Sequence, residues 1–426
     1  LRRIFAGILG IGILLTGAAP CAAAAYGYDE YGDPIVTATP VPDSQSGQVT
    51  QAAPAHSSYY SQAADTDSID GWPKGPNVEA QAAVLMDVNT EAVLYSKNGD
   101  TQLYPASITK IMTTLLACEN LNVKTKITVS ENASTSVSAG DSSIYAAPGE
   151  VFTRDQTLMA VMLQSANEMS VAVAEEVSGS VKKFTELMNW RAKLFGCKNT
   201  HFNNPNGLPD ETHYTTASDM AKIAKSAWLN PLFRRYCTRR YYEIPATNKF
   251  AEARQLLNHH KMMKNGEYYY EGVLGGKTGY TDASGNTLVT YCKRGNMTLV
   301  AVILNSTSAA NAYSDTASLF NYGFENFEKM DMKVSMEPVP FKVLPCDKYI
   351  LKNNGNTYPF YYQTNVYVTV PKGTKRSQLT KRQAVLQNAA GPLRLKSKYY
   401  YQKQMVGWGM QYERNVVSDL LLQTSS

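Results

Sequence analysis

Periodic patterning of apolar and polar positions begins at Glu79. Ala82–Asp87 and Glu91–Ser96 are two strand-like runs about Asn89-Thr90, which predicts a hairpin. Helical spacing follows at about 107–119, 154–176, 180–195 and 216–229. Gly196 stands where a helix C-terminus favours glycine. Thr216-x-x-Asp219 reads as an N-terminal cap with an acid in place of the usual Glu or Gln. Val273–Tyr280, Thr287–Cys292 and Met297–Leu304 then read as consecutive antiparallel strands, and Asn311–Phe327 as a closing helix. Strands first, helices in the middle, and strands plus a helix last predict an α/β (α+β) domain over 76–330, an antiparallel sheet flanked by helices.

The flanks differ in character. Leu1-Arg2-Arg3 is basic, residues 4–18 are almost wholly apolar, and Cys21 to Ala25 supplies small residues. This predicts a secretory signal peptide over 1–25, cleaved near Ala23 or Ala25. An uncleaved anchor is the weaker alternative, because the apolar run is short. Pro20 breaks the small-residue pattern that lipidation of Cys21 would need. The leading Leu1 is expected to reflect a non-standard start codon, hence a bacterial source and bacterial export. Residues 26–75, rich in Ser, Thr, Ala, Gln and Pro, read as a flexible tether. From 331 to 426, short β-rich runs such as Tyr361–Val370 alternate with Pro, Gly and Asn, which predicts a small β-rich C-terminal domain.

Charge sharpens that division. The 426 residues carry a formal net charge of +5, yet residues 331–426 hold 14 basic and 5 acidic side chains, leaving the remainder acidic overall. No acidic residue lies between Asp347 and Glu413. The second domain is therefore expected to present a basic surface, its partners an anionic wall polymer or membrane head groups rather than nucleic acid, or else only solvent. At 44 % hydrophobic and 18 % charged, the chain is not disordered. No run after residue 20 is long enough to span a bilayer. Six cysteines without C-x-x-C, and five histidines without H-E-x-x-H, give no zinc or disulfide framework. Each cysteine reads as a small core hydrophobe. No cofactor or metal is implied.

Three short motifs carry the candidate chemistry. Ser107-Ile-Thr-Lys110 puts a hydroxyl and an amine on one helix face, just after Pro105 and so near a helix N-terminus. A lysine in a dry, cationic pocket loses its proton readily and can serve as base to a serine. Ser180–Lys183 repeats the spacing, but on an amphipathic helix, and reads as a solvated face. Ser165-Ala166-Asn167 lies between two helical runs, where a hydroxyl can relay a proton and an amide can bind a substrate amide. The same triplet pattern at Ser96 and Ser130 reads as caps, and at Ser284 as a turn. Lys277-Thr278-Gly279 stands on a strand among small residues, so a ligand can lie along it while Lys and Thr grip a carboxylate. It is not a P-loop, because the G-x-x-x-x-G-K-[ST] spacing and the following helix are missing.

Ser-x-x-Lys, Ser-x-Asn 58 residues later and Lys-Thr-Gly 112 further on is the ordered triad of penicillin-recognising serine enzymes. The chain most resembles the low-molecular-mass penicillin-binding proteins, the serine-type D-alanyl-D-alanine carboxypeptidases. Trp72 to Pro76, Tyr104 to Lys110, Asn204 to His213, Thr216 to Ala221 and Lys277 to Gly285 carry the likeness, over roughly 72–330. The resemblance implies that Ser107 attacks the carbonyl between two terminal D-alanines of a peptidoglycan stem peptide. Lys110 would be its general base and Ser165 would pass a proton to the departing D-alanine. Asn167 would hold the acyl-peptide, and Lys277 and Thr278 the terminal carboxylate. Gly279 would leave room for the ligand, and the backbone N–H groups of Ser107 and Tyr280 would form the oxyanion hole, at about 3 kcal/mol per donor. β-Lactams would acylate Ser107 and leave slowly.

Three alternatives share parts of this pattern. A β-lactamase usually carries Asp inside the second motif, where this chain has Ala166. A transpeptidase would pass the same acyl group to an amine. A non-catalytic wall-binding module would need no intact triad. Many relatives end in a long amphipathic helix, whereas the stripe over 416–423 is short and would hold a bilayer only marginally.

Overall fold

A computed structural model describes residues 56–334, 365–386 and 394–413, with short strands at 27–28, 34–35, 339–340, 357–358 and 360–362. The expected export segment, the tether before residue 56 apart from two short strands, and the stripe at 416–423 lie outside the described residues, as do Cys21 and Cys346. Residues 1–47 form a unit of their own, in which Gly27–Tyr28 pairs with Pro34–Ile35.

The main sheet has five antiparallel strands in the order Val93–Lys97, Ala82–Asp87, Met297–Ser306, Gly285–Arg294, Val273–Thr281. The hairpin and the three late strands thus close into one sheet, as the patterning predicts. Both faces are covered, so the central strands are buried at nearly every position and largely apolar rather than alternating. Side-chain parity still sorts them: Ala83, Leu85, Leu299, Ala301 and Ile303 join one core cluster. Ala82, Val84, Met86, Val300, Val302 and Leu304 join the other. On the first face lies the helix Ala309–Asn326, capped by Ser308. Its Gly323 lets it approach closely, since a Cβ there would stand 2.7 Å from side-chain atoms of Leu299 and Leu85.

The second face carries the helical half. Lys110–Asn120 runs through its middle and is buried from Lys110 to Ala117. The helical pattern over 154–176 is two helices, Arg154–Leu163 and Asn167–Ser178. They are broken at Ser165, whose φ of 59° is left-handed. Val181–Leu194 begins at Ser180, whose hydroxyl accepts from Lys183 N, so this second Ser-x-x-Lys is a helix cap. Gly196 follows in the left-handed region. Ala217–Leu229 starts as expected, with Thr216 Oγ1 accepting from Asp219 N. The Asp219 carboxylate does not close the box: it accepts from Lys198 N, Asn199 N and Thr200 Oγ1 instead. Ser130 caps a short helix and Ser284 sits in the turn between two strands, but Ser96 lies within a strand, its hydroxyl donating to Asp65.

The C-terminal region is a second antiparallel sheet, ordered Phe327–Asp331, Tyr367–Pro371, Gln404–Glu413, Arg394–Tyr401, Leu379–Leu386, with Phe360–Tyr362 also on Gln404–Glu413. Its first strand follows directly on the closing helix. Composition reads His56 to Gly75 as tether, but this stretch is packed, because one large aromatic anchors it. Trp72 is buried, its ring 5.1 Å from Phe327 and 5.8 Å from Tyr401, and its Nε1 donates to Leu94 O at 2.9 Å. Thr369 Oγ1 donates to the buried Asp87 carboxylate at 2.9 Å, a polar tie across the same junction. Trp72→Ala is expected to cost about 3–5 kcal/mol in denaturant unfolding, the range for an emptied aromatic site. Cys118, Cys197, Cys237 and Cys292 are free, and the last two are buried as core residues. Among the described residues no helix is long and apolar enough to cross a membrane.

Candidate active site

Ser107 lies in a 3-10 turn, Ala106–Thr109, that runs straight into Lys110–Asn120. Ala106 just before it has φ 51°, a left-handed conformation a side chain adopts only when its surroundings impose it. Those surroundings are two backbones. Gly207, at φ 91°, presses on the turn so closely that a Cβ would fall 1.9 Å from Ala106 O. Gly279 lies on the other side, where a Cβ would be 2.9 Å from Ser107 N. Thr287 Oγ1 donates to Pro105 O at 2.8 Å and ties the turn to the sheet.

Lys110 is fully buried beneath this turn. Its Nζ lies 3.0 Å from Ser107 Oγ, 2.7 Å from Asn167 Oδ1 and 2.6 Å from Asn206 O. The last two are carbonyl oxygens that can only accept. A neutral amine has two hydrogens and one lone pair, so both hydrogens are taken and the lone pair is left for the Ser107 hydroxyl. Burial, and next the charge of Lys277, hold the Lys110 ammonium well below its ordinary pKa; Glu168 and Asp141 oppose them. The arrangement can therefore draw a proton from Ser107.

Asn167 opens its helix and is buried. Ser165, two residues before, is 3 % exposed, and its hydroxyl has no hydrogen-bond partner among the described residues. A buried hydroxyl left free, on a strained backbone, can take a bond from a ligand. Lys277 is buried on the edge strand, Nζ donating to Thr278 O at 2.8 Å, and burial pushes it down to about 7. Thr278 and Gly279 are half-buried. The Tyr280 ring is exposed, and its hydroxyl donates to Asp282 at 2.9 Å, so any part it takes is through its backbone. Ser107, Lys110, Asn167 and Gly279 are thus brought together directly, and Lys277 is close enough to act on Lys110 electrostatically.

Some contributors lie outside the three motifs. Asn206 supplies a carbonyl to Lys110 from within Asn204 to His213, a stretch that carries the family likeness but to which the sequence assigned no role at the site. His213 holds that loop: Nδ1 accepts from Asn203 N at 3.0 Å and Asn204 N at 3.3 Å, so Nε2 carries the hydrogen and donates to Thr109 Oγ1 at 2.9 Å. Burial drops its pKa to about 4, which keeps the ring neutral.

A family model for D-alanyl-D-alanine carboxypeptidases, peptidase S11, matches residues 71–308. The D-alanyl-D-alanine carboxypeptidase DacF of Bacillus subtilis is 38 % identical over 253 residues, 59 % of this chain and 63 % of that relative. The chain thus spans less than two thirds of that relative's length. DacA of Escherichia coli is 29 % identical over 71 % of this chain and 73 % of its own. Penicillin binding protein 5 of Haemophilus influenzae superposes with a TM-score of 0.64 at 25 % identity, over 80 % of this chain and 98 % of that one. The Streptomyces K15 DD-transpeptidase does so with a TM-score of 0.56 at 30 % identity, over 59 % of this chain and 100 % of that one. The mixed fold, its ordered motifs and these matches agree: the chain belongs to the D-alanyl-D-alanine carboxypeptidase family, whose general mechanism is a serine acyl-enzyme.

Proposed function

We propose that this chain hydrolyses the terminal D-alanyl-D-alanine bond of peptidoglycan stem peptides, trimming them and limiting cross-linking. The observation that carries the reading is the Lys110 amine, its hydrogens held by Asn167 Oδ1 and Asn206 O and its third contact Ser107 Oγ at 3.0 Å. Lys110 takes the Ser107 proton as Oγ attacks the carbonyl carbon. Charge on the carbonyl oxygen falls to the N–H groups of Ser107 and Tyr280. Ser165 gives its hydroxyl proton to the departing D-alanine nitrogen as the C–N bond breaks and takes in exchange the proton that Lys110 accepted, while Asn167 holds the acyl-peptide. Water then attacks the ester, giving a proton to Lys110, which returns it to Ser107 Oγ as the ester C–O bond breaks. Lys277 and Thr278 bind the terminal carboxylate along the edge strand, and β-lactams occupy the same place as inhibitors.

The second reading is transfer of the acyl group to an amine, favoured by the likeness to the Streptomyces K15 DD-transpeptidase. Ala166, buried between Ser165 and Asn167, supplies no carboxylate of the kind a β-lactamase carries there. Intact mass after benzylpenicillin, with D-alanine release measured with and without an amine acceptor, separates these. A stable adduct with D-alanine released supports the carboxypeptidase, and an acceptor-linked product the transpeptidase. Rapid drug turnover without D-alanine means a β-lactamase, and no reaction at all leaves a wall-binding module.

Lys277 makes the pH dependence a sharp test. Only the ammonium attracts a carboxylate, and burial brings its loss of charge to about pH 7. KM for a carboxylate-ended peptide should therefore rise above that pH, by about tenfold per unit once the neutral form dominates. Lys277→Arg, charged throughout, should flatten the rise. An unchanged profile in that variant would remove Lys277 from carboxylate binding.

This substrate places the enzyme outside the cytoplasm, at the wall or the outer face of the membrane. Lys372, Lys375, Arg376, Lys381, Arg382, Lys398 and Lys403 are exposed on the C-terminal sheet and its loops. They supply the charge for association with an anionic wall polymer or membrane surface. Retention on isolated walls should fall with added salt and with neutralisation of Lys381 and Arg382.

A further inference from the structure

Glu168 follows Asn167 in the first turn of its helix and is 1 % exposed. Among the described residues no cation pairs with it. Its Oε1 accepts from Ser143 Oγ at 2.8 Å, Ile144 N at 2.8 Å and Ala146 N at 3.5 Å. Its Oε2 is buried with no hydrogen-bond partner among the described residues. Burying a carboxylate without a cation is costly, and leaving one oxygen unsatisfied adds to the cost. Packing alone gives no reason for it, because an amide of the same shape could make the same backbone contacts at less expense.

Two features tie this carboxylate to the site. Asn167 N donates to Ser142 O at 2.9 Å, so the segment Ser142–Ala146 lies directly against the second motif. Tyr145, between the two amides that Glu168 holds, has φ 56° and an 81 % exposed ring, a strained display that the anchor maintains. The side chain of Asn167 meanwhile accepts from Lys110. Glu168 therefore stands one residue from the group that orients the base, and braces the wall beside it.

We propose that Glu168 is a positioning residue for the reaction: Oε1 fixes the wall Ser143–Ala146 against the second motif, and its negative charge supports the ammonium that Lys110 becomes when Ser107 gives up its proton. This rests on Lys110 being the base. The charged groups acting on Lys110 are Lys277 from the edge strand, Asp141 from the loop and Glu168 from the helix. His213, bonded to the neighbouring Thr109, is a neutral ring. Lys277 repels the ammonium, while Glu168 and Asp141 favour it.

The test is the pH profile of benzylpenicillin acylation for wild type, Glu168→Gln and Glu168→Asp, with thermal melting alongside. The acid limb reports the free enzyme's base. Glu168→Gln removes the charge, so Lys110 should stay neutral to lower pH. The limb should then move down by about one unit, and the plateau rate should fall because the base is weaker. Glu168→Asp keeps the charge but is a methylene shorter, so the limb should stay while substrate KM rises. A Gln variant whose limb does not move, whether or not its rate or melting temperature falls, overturns the proposal. If the Gln variant does not fold, an Asp variant with wild-type KM overturns it. If wild type itself is not acylated, the proposed function falls first, which keeps the two failures distinct.

Discussion

Ser107→Ala is expected to give no penicilloyl adduct by intact mass and to lower D-alanine release by about 10⁶-fold, the loss seen when a serine nucleophile or its base is removed from another acyl-transfer enzyme. Lys110→Ala should fall nearly as far. Its amine is the group within 3.0 Å of Ser107 Oγ, and its removal leaves Asn167 Oδ1 and Asn206 O facing an empty space. The two residues act as one device, so the double variant should be hardly worse than either single one. Strict additivity, or an adduct in the Ser107→Ala protein, would move the nucleophile elsewhere. Melting temperatures separate chemistry from folding. Ser107 is half-buried, so its variant should melt close to wild type, whereas Lys110→Ala empties a buried site and should melt lower.

Gly207→Ala is the second large effect expected, and it acts without touching a reactive atom. A Cβ would meet Ala106 O at 1.9 Å and Ser107 N at 3.0 Å, both backbone atoms that a rotamer change cannot relieve. The position is also left-handed, at φ 91°. Overpacking costs about 1–3 kcal/mol, and the left-handed backbone a further 1–2 kcal/mol or so. The loop must withdraw from the nucleophile's turn, taking with it the Asn206 carbonyl that orients Lys110. A displacement of about 1 Å can cost on the order of 100-fold in rate. Acylation by benzylpenicillin should therefore slow at least that much while the protein still folds. A lowered melting temperature with an unchanged acylation rate would show that this carbonyl does not position the base.

The elements and chemistry legible in the chain itself are those whose causes are local. Strand parity and helical spacing depend on neighbours within a few residues, so the hairpin at Ala82, the three late strands and the central helices can be read from periodicity. The break between Leu163 and Asn167 shows in the chain as a motif between two helical runs, but the left-handed φ of Ser165 that makes it does not, because only the fold forces that conformation. Composition likewise misread His56 to Gly75: a single Trp72 outweighs its polar neighbours once Phe327 and Tyr401 are brought beneath it. Ser107 and Lys110 are three residues apart, one in a 3-10 turn and the other opening the helix that continues it, and their meeting needed no tertiary information. Lys110 receives its other two partners, Asn167 and Asn206, from 57 and 96 residues away. The sequence alone determined which groups are available to react, because a hydroxyl and an amine three residues apart, and a lysine among small residues, are properties of side chains and short spacings. Only the tertiary structure decided that Lys110 would be dry, that Ser165 would be left without a partner and that Glu168 would be buried without a cation. Desolvation and hydrogen-bond satisfaction are set by contacts between segments that no local pattern specifies.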